Sequence, residues 1–568
     1  MTNIERRTFL KKTIAIALSS SSLSAVSSSA FAALTPDNNL RTFLQSGKRS
    51  VGGIRLRHKD KLERIYAERN YIPVWSSDGQ FNSTSRAVVR KLETSSLLGL
   101  HPSHYYTRVL NSWLHLQEPQ SARRLELLLT DSLYEYFDNL ANGQNGEKPG
   151  DDEGWFLKQD KTNVHNDVMS FFRGDASFRN TIDNLQPHHH RYTSLLVALQ
   201  DHHKLYAAGG FQQVDPGASL TPGSRSPRVA QLRTRLAQSG DITESYTASP
   251  DVFDWLLEEG VKNFQRRHGL EADGIPGAKT LEELNVPVEH RIAQIEVNLD
   301  RWRWLPSDLG NSHLTVNTAG FEMDVVLDGY SSIHMNVVVG KPEHRTPIFS
   351  DEMEHLVFNP SWHVPVSITR NELLPRERAN PGYLENKNFV AVSLSDKSST
   401  PISSLSAGEL ETSSFISKYR LQQLPGKSNA LGSIKFMLPN QYSIYLHDTN
   451  AKSLFEKTSR AYSHGCVRVE DPHQLAKTIL AHDGHDTGNI DSILESGRSK
   501  TINLHSALPV HMTYQTSWVD ESGKLNFRKD IYDHDAHAIG KYQYHRPLQA
   551  KRESEILTRS SSFASNDL

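Results

Sequence analysis

The sequence predicts a multidomain α+β protein: a helical scaffold domain, then a compact helical unit, then a mostly-β, sandwich-like domain. Three observations lead there. At 568 residues the chain has room for three or four domains of roughly 150 residues each. Through about residue 213 apolar residues recur at helical spacing, most clearly as Leu125, Leu128, Leu129, Leu133, Tyr136, Phe137 and Leu140. From about residue 305 the pattern changes to short β-branched runs broken by Gly, Pro and Asn, the chemistry of strands and turns.

Residues 1–32 read as an export signal: Arg6, Arg7, Lys11 and Lys12, a short apolar run from Ile14 to Leu18, and the small-x-small end Ala30-Phe31-Ala32. Eight serines between Ser19 and Ser29 make the stretch too polar to remain in lipid. Arg6-Arg7-Thr8-Phe9-Leu10-Lys11 resembles a twin-arginine signal, with Glu5 where Ser or Thr is usual. Residues 33–225 form the helical scaffold domain, with helices expected over Lys61–Ala67, Ser85–Leu97 and Leu125–Leu140. Its histidine runs, His188-His189-His190 and His202-His203, lack metal-ligand spacing and read as solvated surface. A Pro/Gly/Ser-rich linker, Gln212 to Pro227, leads into the unit 226–287, with helices near Arg228–Gln238 and Pro250–His268. Residues 288–304 make a connecting helix with Ile292, Ile295, Leu299 and Trp302 on one face.

The β domain is expected over 305–535. Its strand patterns are Leu314–Asn317, Phe321–Leu327, Ile333–Val339, Glu354–Asn359, Ile434–Leu438, Ser443–His447, Ser463–Val469 and Pro509–Trp518. Residues 375–430 interrupt it with polar, loop-rich sequence, and an insertion of that length inside a domain is functional or disordered. Residues 536–568 read as a disordered tail.

Composition excludes several classes. With 63 Lys+Arg against 65 Asp+Glu, the chain shows no whole-chain charge footprint for nucleic acid. No run of about 18 apolar residues suggests a membrane span. The single cysteine, Cys466, rules out an intrachain disulfide framework and any multi-cysteine metal site; neither a metal nor a cofactor is expected. A lone thiol exported to an oxidising compartment is either buried and inert or kept for its chemistry.

Its surroundings favour chemistry. Cys466 sits in Ser463-His464-Gly465-Cys466-Val467-Arg468, preceded by Tyr445-Leu446-His447-Asp448. A thiol attacks as thiolate, and a neighbouring histidine can take its proton and pair with the anion. Gly465 lets substrate approach the backbone, leaving amides free to bind an oxyanion. His464 shares a strand face with Cys466, while His447 approaches from a neighbouring strand. Tyr445 shares the face of His447 and either lines a substrate channel or packs in the core. Trp362, in Asn359-Pro-Ser-Trp362-His-Val-Pro365, either walls the cleft or packs.

Two stretches resemble known families. Phe264-Gln265, Gly269-Leu270, Asp273-Gly274, Gly277 and Thr280-Leu281 are similar to the signature of the three-helix peptidoglycan-binding domain. The resemblance implies either wall binding or a spacer that kept only the fold. His447, the 15 residues 448–462 and then Ser463-His464-Gly465-Cys466 closely resemble the L,D-transpeptidases with a YkuD catalytic domain. The whole-chain order resembles the large YcbB type, in which the insertion at 375–430 caps a sandwich catalytic domain. Arg303-Trp304-Leu305-Pro306, Val337-Val338-Val339-Gly340-Lys341-Pro342, Phe358-Asn359-Pro360, Pro425-Gly426 and Asn429-Ala430-Leu431-Gly432 support it. Arg468 stands where many members carry Asn; it is the residue of the YcbB type, and either meets a substrate carboxylate or props the loop.

The resemblance implies Cys466 as nucleophile, His447 as base and His464 as a loop-shaping residue. Gly465 and Cys466 amides would hold the oxyanion, and Asp448's carbonyl would orient the base. It further implies a 3→3 peptidoglycan cross-link: a tetrapeptide stem is attacked at its third residue, D-alanine leaves, and the side-chain amine of a neighbouring diaminopimelate takes the acyl group. Penems are the implied inhibitors. Expected partners are stem peptides, glycan strands and cell-wall synthases, and the expected place is the periplasm, reached by the twin-arginine route. An L,D-carboxypeptidase or a lipoprotein-detaching hydrolase would use the same thioester, and a wall-binding scaffold with a dead site is a third reading.

Overall fold

The computed structural model describes residues 35–77, 80–115, 119–144, 154–157, 162–243 and 249–540. The export signal and residues 541–568 lie outside them. The chain divides into two compact units, one of residues 1–148, 159–307 and 516–568, the other of 149–158 and 308–515.

In the first unit, helices pack around Pro119–Asn142, which carries Leu125, Leu128, Leu129, Leu133, Phe137 and Leu140 into one core. The helices expected over Lys61–Ala67 and Ser85–Leu97 form as Lys59–Glu68 and Ser83–Glu93, the latter followed by a 3-10 turn over Ser95–Leu98. His189, in the histidine run, caps the helix His190–Ala207.

The helices Pro227–Gln238, Trp255–Arg267 and Ala278–Leu284 enclose Val229, Leu232, Leu236, Phe253, Leu257, Val261, Phe264 and Leu284. The quoted signature holds this fold together. Gln265 is buried; its amide donates to Asp273 Oδ1 (2.8 Å) and to the carbonyl of Ile275 (3.0 Å), while its oxygen accepts Gly274 N–H (2.9 Å). Gly274 turns the chain at φ +78°, which L side chains rarely adopt.

The connecting helix Val288–Trp304 is buried all round, polar residues included. Its Asn298 exchanges hydrogen bonds with Thr516 (2.8 and 2.9 Å), and Arg301 pairs with Asp535 at 2.6 Å. Those contacts draw residues 516–535, expected in the β domain, into the first unit. Residues 536–540, read as the start of a disordered tail, instead continue a helix over 534–540, with Ala538 buried against Val297.

The second unit is mostly β. Its strands in chain order are β1 (His313–Asn317), β2 (Glu322–Leu327), β3 (Tyr330–Gly340) and β4 (Ser350–Phe358). Within the insertion come β5 (Trp362–His363), β6 (Phe389–Ser393), β7 (Ser399–Pro401) and β8 (Tyr419–Gln423). Then follow β9 (Ile434–Met437), β10 (Leu446–His447), β11 (Ala461–Ser463), β12 (Val467–Val469) and β13 (Lys500–Thr513).

Nine strands form one sheet in the order β11-β3-β12-β10-β9-β4-β13-β1-β2, and β2 pairs back onto β3, so the sandwich closes on itself. Closure removes exposed edges. The pair β10–β12 is parallel, and β9–β10 is antiparallel. Residues 154–157 also belong to this unit. Phe156 N–H donates to Ile348 O (2.8 Å) and the Phe156 ring stacks on Tyr442 at 4.3 Å.

The insertion is a folded subdomain, not loop. It starts earlier than residue 375, because β5 joins the sheet β7-β6-β8-β5. It buries its own core of Val364, Leu374, Leu384, Phe389, Ala391, Phe415 and Leu421. Asn429 closes its neck: the buried amide donates to Pro360 O (2.9 Å) on the way in and Leu424 O (3.0 Å) on the way out.

Candidate active site

Strand register builds the site. On β9, β10 and β12, Lys435 lies opposite His447 and His447 opposite Arg468. Residues directly across a sheet share a face, so three basic side chains stand in one row. One step along, the parallel register sets Tyr445 beside Cys466, two residues before His447 and Arg468 respectively, hence on the same face. The expected strand Ser463–Val469 is broken here. Residues 464–466 turn out between β11 and β12, with Gly465 at φ +116°. A Cβ at Gly465 would meet Ile444 Cδ1 at 3.2 Å.

Ser463 ties the turn, donating to Cys466 O (2.5 Å) and accepting Gly465 N–H (3.0 Å). Gly465 N–H, expected to serve an oxyanion, is therefore occupied. Cys466 N–H has no hydrogen-bond partner among the described residues. Thr346 Oγ1 donates to Gly465 O (2.7 Å) and accepts Gly340 N–H (2.9 Å), fastening the turn to the end of β3.

The thiol lies among donors. Cys466 Sγ is 3.7 Å from Ser443 O, a carbonyl set by an unusual φ of +58° at Ser443. The Tyr445 hydroxyl and backbone N–H favour the anionic form of the sulfur. Trp362 packs on the core of the insertion, one of the two readings the sequence left open. Burial pushes the thiol above its ordinary value, against the opposing pull of these donors, Lys435 and Arg468.

His447 is buried, and its Nδ1 lies 2.5 Å from Asp448 O. A carbonyl only accepts, so Nδ1 carries the proton and Nε2 presents a lone pair. Burial, with Arg468 and Lys435 on either side, brings His447 down to about 3. His447 therefore rests as a neutral imidazole, and no hydrogen bond joins it to the thiol among the described residues. Asp448 anchors the strand end through Ser433 N–H (2.8 Å), Ser433 Oγ (2.7 Å), Thr449 N–H (2.7 Å) and Lys452 (2.8 Å).

His464 points elsewhere, its Nε2 bonded to Glu372 Oε1 of the insertion at 2.6 Å. Arg468 keeps a buried Nε without a partner among the described residues. Sequence reasoning missed Glu372, Thr346 and Lys435. For Lys435 there was a signal, a lone cation in the apolar strand Ile434-Lys435-Phe436-Met437. Asp483, His485 and His505 gather elsewhere within 4.8 Å, with His505 hydrogen-bonded to Asp483.

A closed sheet presents a lone cysteine in a glycine turn, with a histidine on the next strand, an arrangement that thiol chemistry would use. Comparison with known proteins makes that specific. Residues 311–493 match the L,D-transpeptidase catalytic domain (YkuD), residues 60–199 the Scaffold domain, and residues 225–284 the "Putative peptidoglycan binding domain". The chain contains a stretch that matches the L,D-transpeptidase catalytic domain and another that matches a putative peptidoglycan-binding domain. A curated protein of Haemophilus influenzae named "Putative L,D-transpeptidase" is 33% identical over 250 residues, 44% of this chain and 49% of that protein. The chain thus spans about half the length of that relative. A solved L,D-transpeptidase structure from Xylanimonas cellulosilytica matches at 14% identity and a TM-score of 0.17, over 52% of this chain and 100% of that one. These are cell-wall domains, as an exported protein has, and no described helix is long and apolar enough to cross a membrane.

Proposed function

We propose that this protein forms 3→3 peptidoglycan cross-links by acyl transfer through Cys466. The observation that carries the reading is the shared sheet face of Cys466 and His447, with His447 Nδ1 anchored on Asp448 O and Nε2 left as the acceptor. His447 takes the thiol proton as sulfur attacks the carbonyl of the third stem residue. The developing oxyanion is held by Cys466 N–H, a donor of a kind worth about 3 kcal/mol. The C–N bond to D-alanine breaks, the proton passes from His447 to the leaving amine, and a thioester remains. The side-chain amine of a second stem's diaminopimelate then attacks, giving its proton to His447; the amide forms and the proton returns to sulfur.

Ser463 and Gly465 shape the turn in this reading, and His464 fastens it to the insertion through Glu372. Purified disaccharide tetrapeptide tests the proposal. A dimer resistant to D,D-endopeptidase is expected from wild type and not from Cys466→Ala; tripeptide and D-alanine alone would instead indicate a carboxypeptidase.

The peptidoglycan-binding domain supports attachment to the wall. Trp255 on its second helix is 70% exposed, an aromatic face suited to stacking on sugar rings. Sedimentation with sacculi that survives both Trp255→Ala and deletion of residues 226–287 would leave the domain a spacer. Export by the twin-arginine route is proposed on Arg6-Arg7, and undiminished export after Arg6→Lys with Arg7→Lys would refute it.

A further inference from the structure

We infer that Lys435 is a substrate-binding residue that takes the side-chain carboxylate of the donor stem's diamino diacid, in the groove between β4, β9 and the insertion. The inference rests on the transpeptidase reading above and specifies its substrate.

Lys435 is a half-buried cation whose ammonium lies 3.7 Å from the centre of the Tyr445 ring, and it forms no hydrogen bond or ion pair with any described residue. An uncompensated cation beside a sheet face is costly to keep unless something anionic meets it. Burial accordingly holds its amine below the ordinary lysine value. Across His447 in the same row stands Arg468, with its unpartnered Nε. The row thus has two cations and no carboxylate.

Lys435 also lines an open groove of about 300 Å³ with His355 and Met437 of β4 and β9, His363 and Gln422 of β5 and β8, and Ser499. His355 and Met437 are register partners. Continuing that register places Met437 across from Tyr445 and Tyr445 across from Cys466, so the groove runs along the row that ends at the thiol. Its walls offer donors at Lys435, Gln422 and Ser499, the imidazoles of His355 and His363, and no acid.

The reach agrees. Strands lie about 4.8 Å apart, so β9 is about 10 Å from β12, and the Lys435 side chain leans back toward the thiol over Tyr445. In a 2,6-diamino diacid held by its L-centre carbonyl at Cys466, six bonds of about 1.5 Å carry the far carboxylate to about 7 Å from sulfur's target. A carboxylate there meets Lys435. Its arrival also offsets one of the two cations that keep His447 neutral, so that binding the correct donor favours proton transfer to His447.

The test compares two tetrapeptide donors, one with that side-chain carboxylate free and one with it amidated, on the full chain. Wild type should prefer the free acid by about 10- to 100-fold in kcat/KM, the scale of one charge-assisted hydrogen bond. In Lys435→Met the preference should fall within about threefold, mainly through KM, and Lys435→Arg should restore most of it. Iodoacetamide alkylation of Cys466 in each variant reports separately on the thiol. If Lys435→Met slows both donors equally and alkylation with them, Lys435 acts on the thiol and the inference is overturned. If wild type does not prefer the free acid, it is overturned as well. Folded wild type that turns over neither donor would refute the transpeptidase reading instead.

Discussion

Asp448→Asn isolates the anchor of the proposed base. The Asp448 carboxylate accepts four bonds: Oδ2 takes Ser433 N–H and Ser433 Oγ, and Oδ1 takes Thr449 N–H and Lys452. Asparagine keeps one acceptor oxygen, so whichever way the amide turns, an NH2 group faces two donors. Turned with its NH2 toward Thr449 N–H and Lys452, asparagine keeps the two Ser433 donors and loses one full bond, about 1.5 kcal/mol. Lys452 is half exposed and adds little. Hydrogen exchange read by mass spectrometry on peptides spanning 444–450 suits a chain of several domains, since it measures local opening. Exchange there should quicken about tenfold.

Acylation of Cys466 should slow by about tenfold or more as the Asp448 carbonyl loosens its hold on His447. Burial raises the Asp448 pKa, but Lys452 and the Ser433 donors outweigh it and leave it below the ordinary carboxylate value. Its stabilisation is therefore present above the unfolded aspartate value of about 3.9 and is lost as pH falls through the lower folded value. The gap between wild type and variant should persist to about that pH and close only beneath it. Unchanged protection at neutral pH, or wild-type acylation, would refute the reasoning.

Three further outcomes follow from the same geometry. Gly432→Ala should destabilise the 444–450 peptides at least as much as Asp448→Asn, because Gly432 sits at φ +61° and a Cβ would lie 2.3 Å from the Asp448 carboxylate; the same exchange measurement checks it. Alkylation of Cys466 by iodoacetamide should rise about tenfold per pH unit from about 6 to 9 without a plateau, since burial raises the thiol and only the thiolate reacts. Tyr445→Phe, which removes a hydroxyl that favours the thiolate, should slow alkylation further; a wild-type plateau below about pH 8 would contradict the first outcome, and undiminished alkylation of the variant the second. Gln265→Ala strips the buried partner of Gly274, Asp273 and Ile275; it should cost about 3 kcal/mol, read as lost exchange protection over 269–280.

Much of the site was legible because its chemistry is local. Cys466, Gly465 and Ser463 form one turn, and His447 reaches it through a single strand pair. What the sequence hid depends on distant partners. Glu372 meets His464 across 92 residues, and nothing in its spacing announces that. The insertion reads as loop because its core residues, Phe389, Ala391, Phe415 and Leu421, are spread thinly among polar ones. The first half of β13, Lys500 to Leu508, was missed because most of its side chains face solvent, so hydrophobic alternation is faint. Ser443–Tyr445 resembles strand, yet the positive φ at Ser443 ends regular pairing and turns its carbonyl toward the thiol. The peptidoglycan-binding signature was legible as fold, since Gln265, Asp273 and Gly274 are spent on one another.

The central claim is that Cys466 carries the acyl group, and intact-protein mass after incubation with disaccharide tetrapeptide tests it most directly. The account predicts an adduct of the tripeptide acyl mass on wild type, none on Cys466→Ala, and slower formation on His447→Ala. An adduct that survives Cys466→Ala, or none on folded wild type, would contradict it.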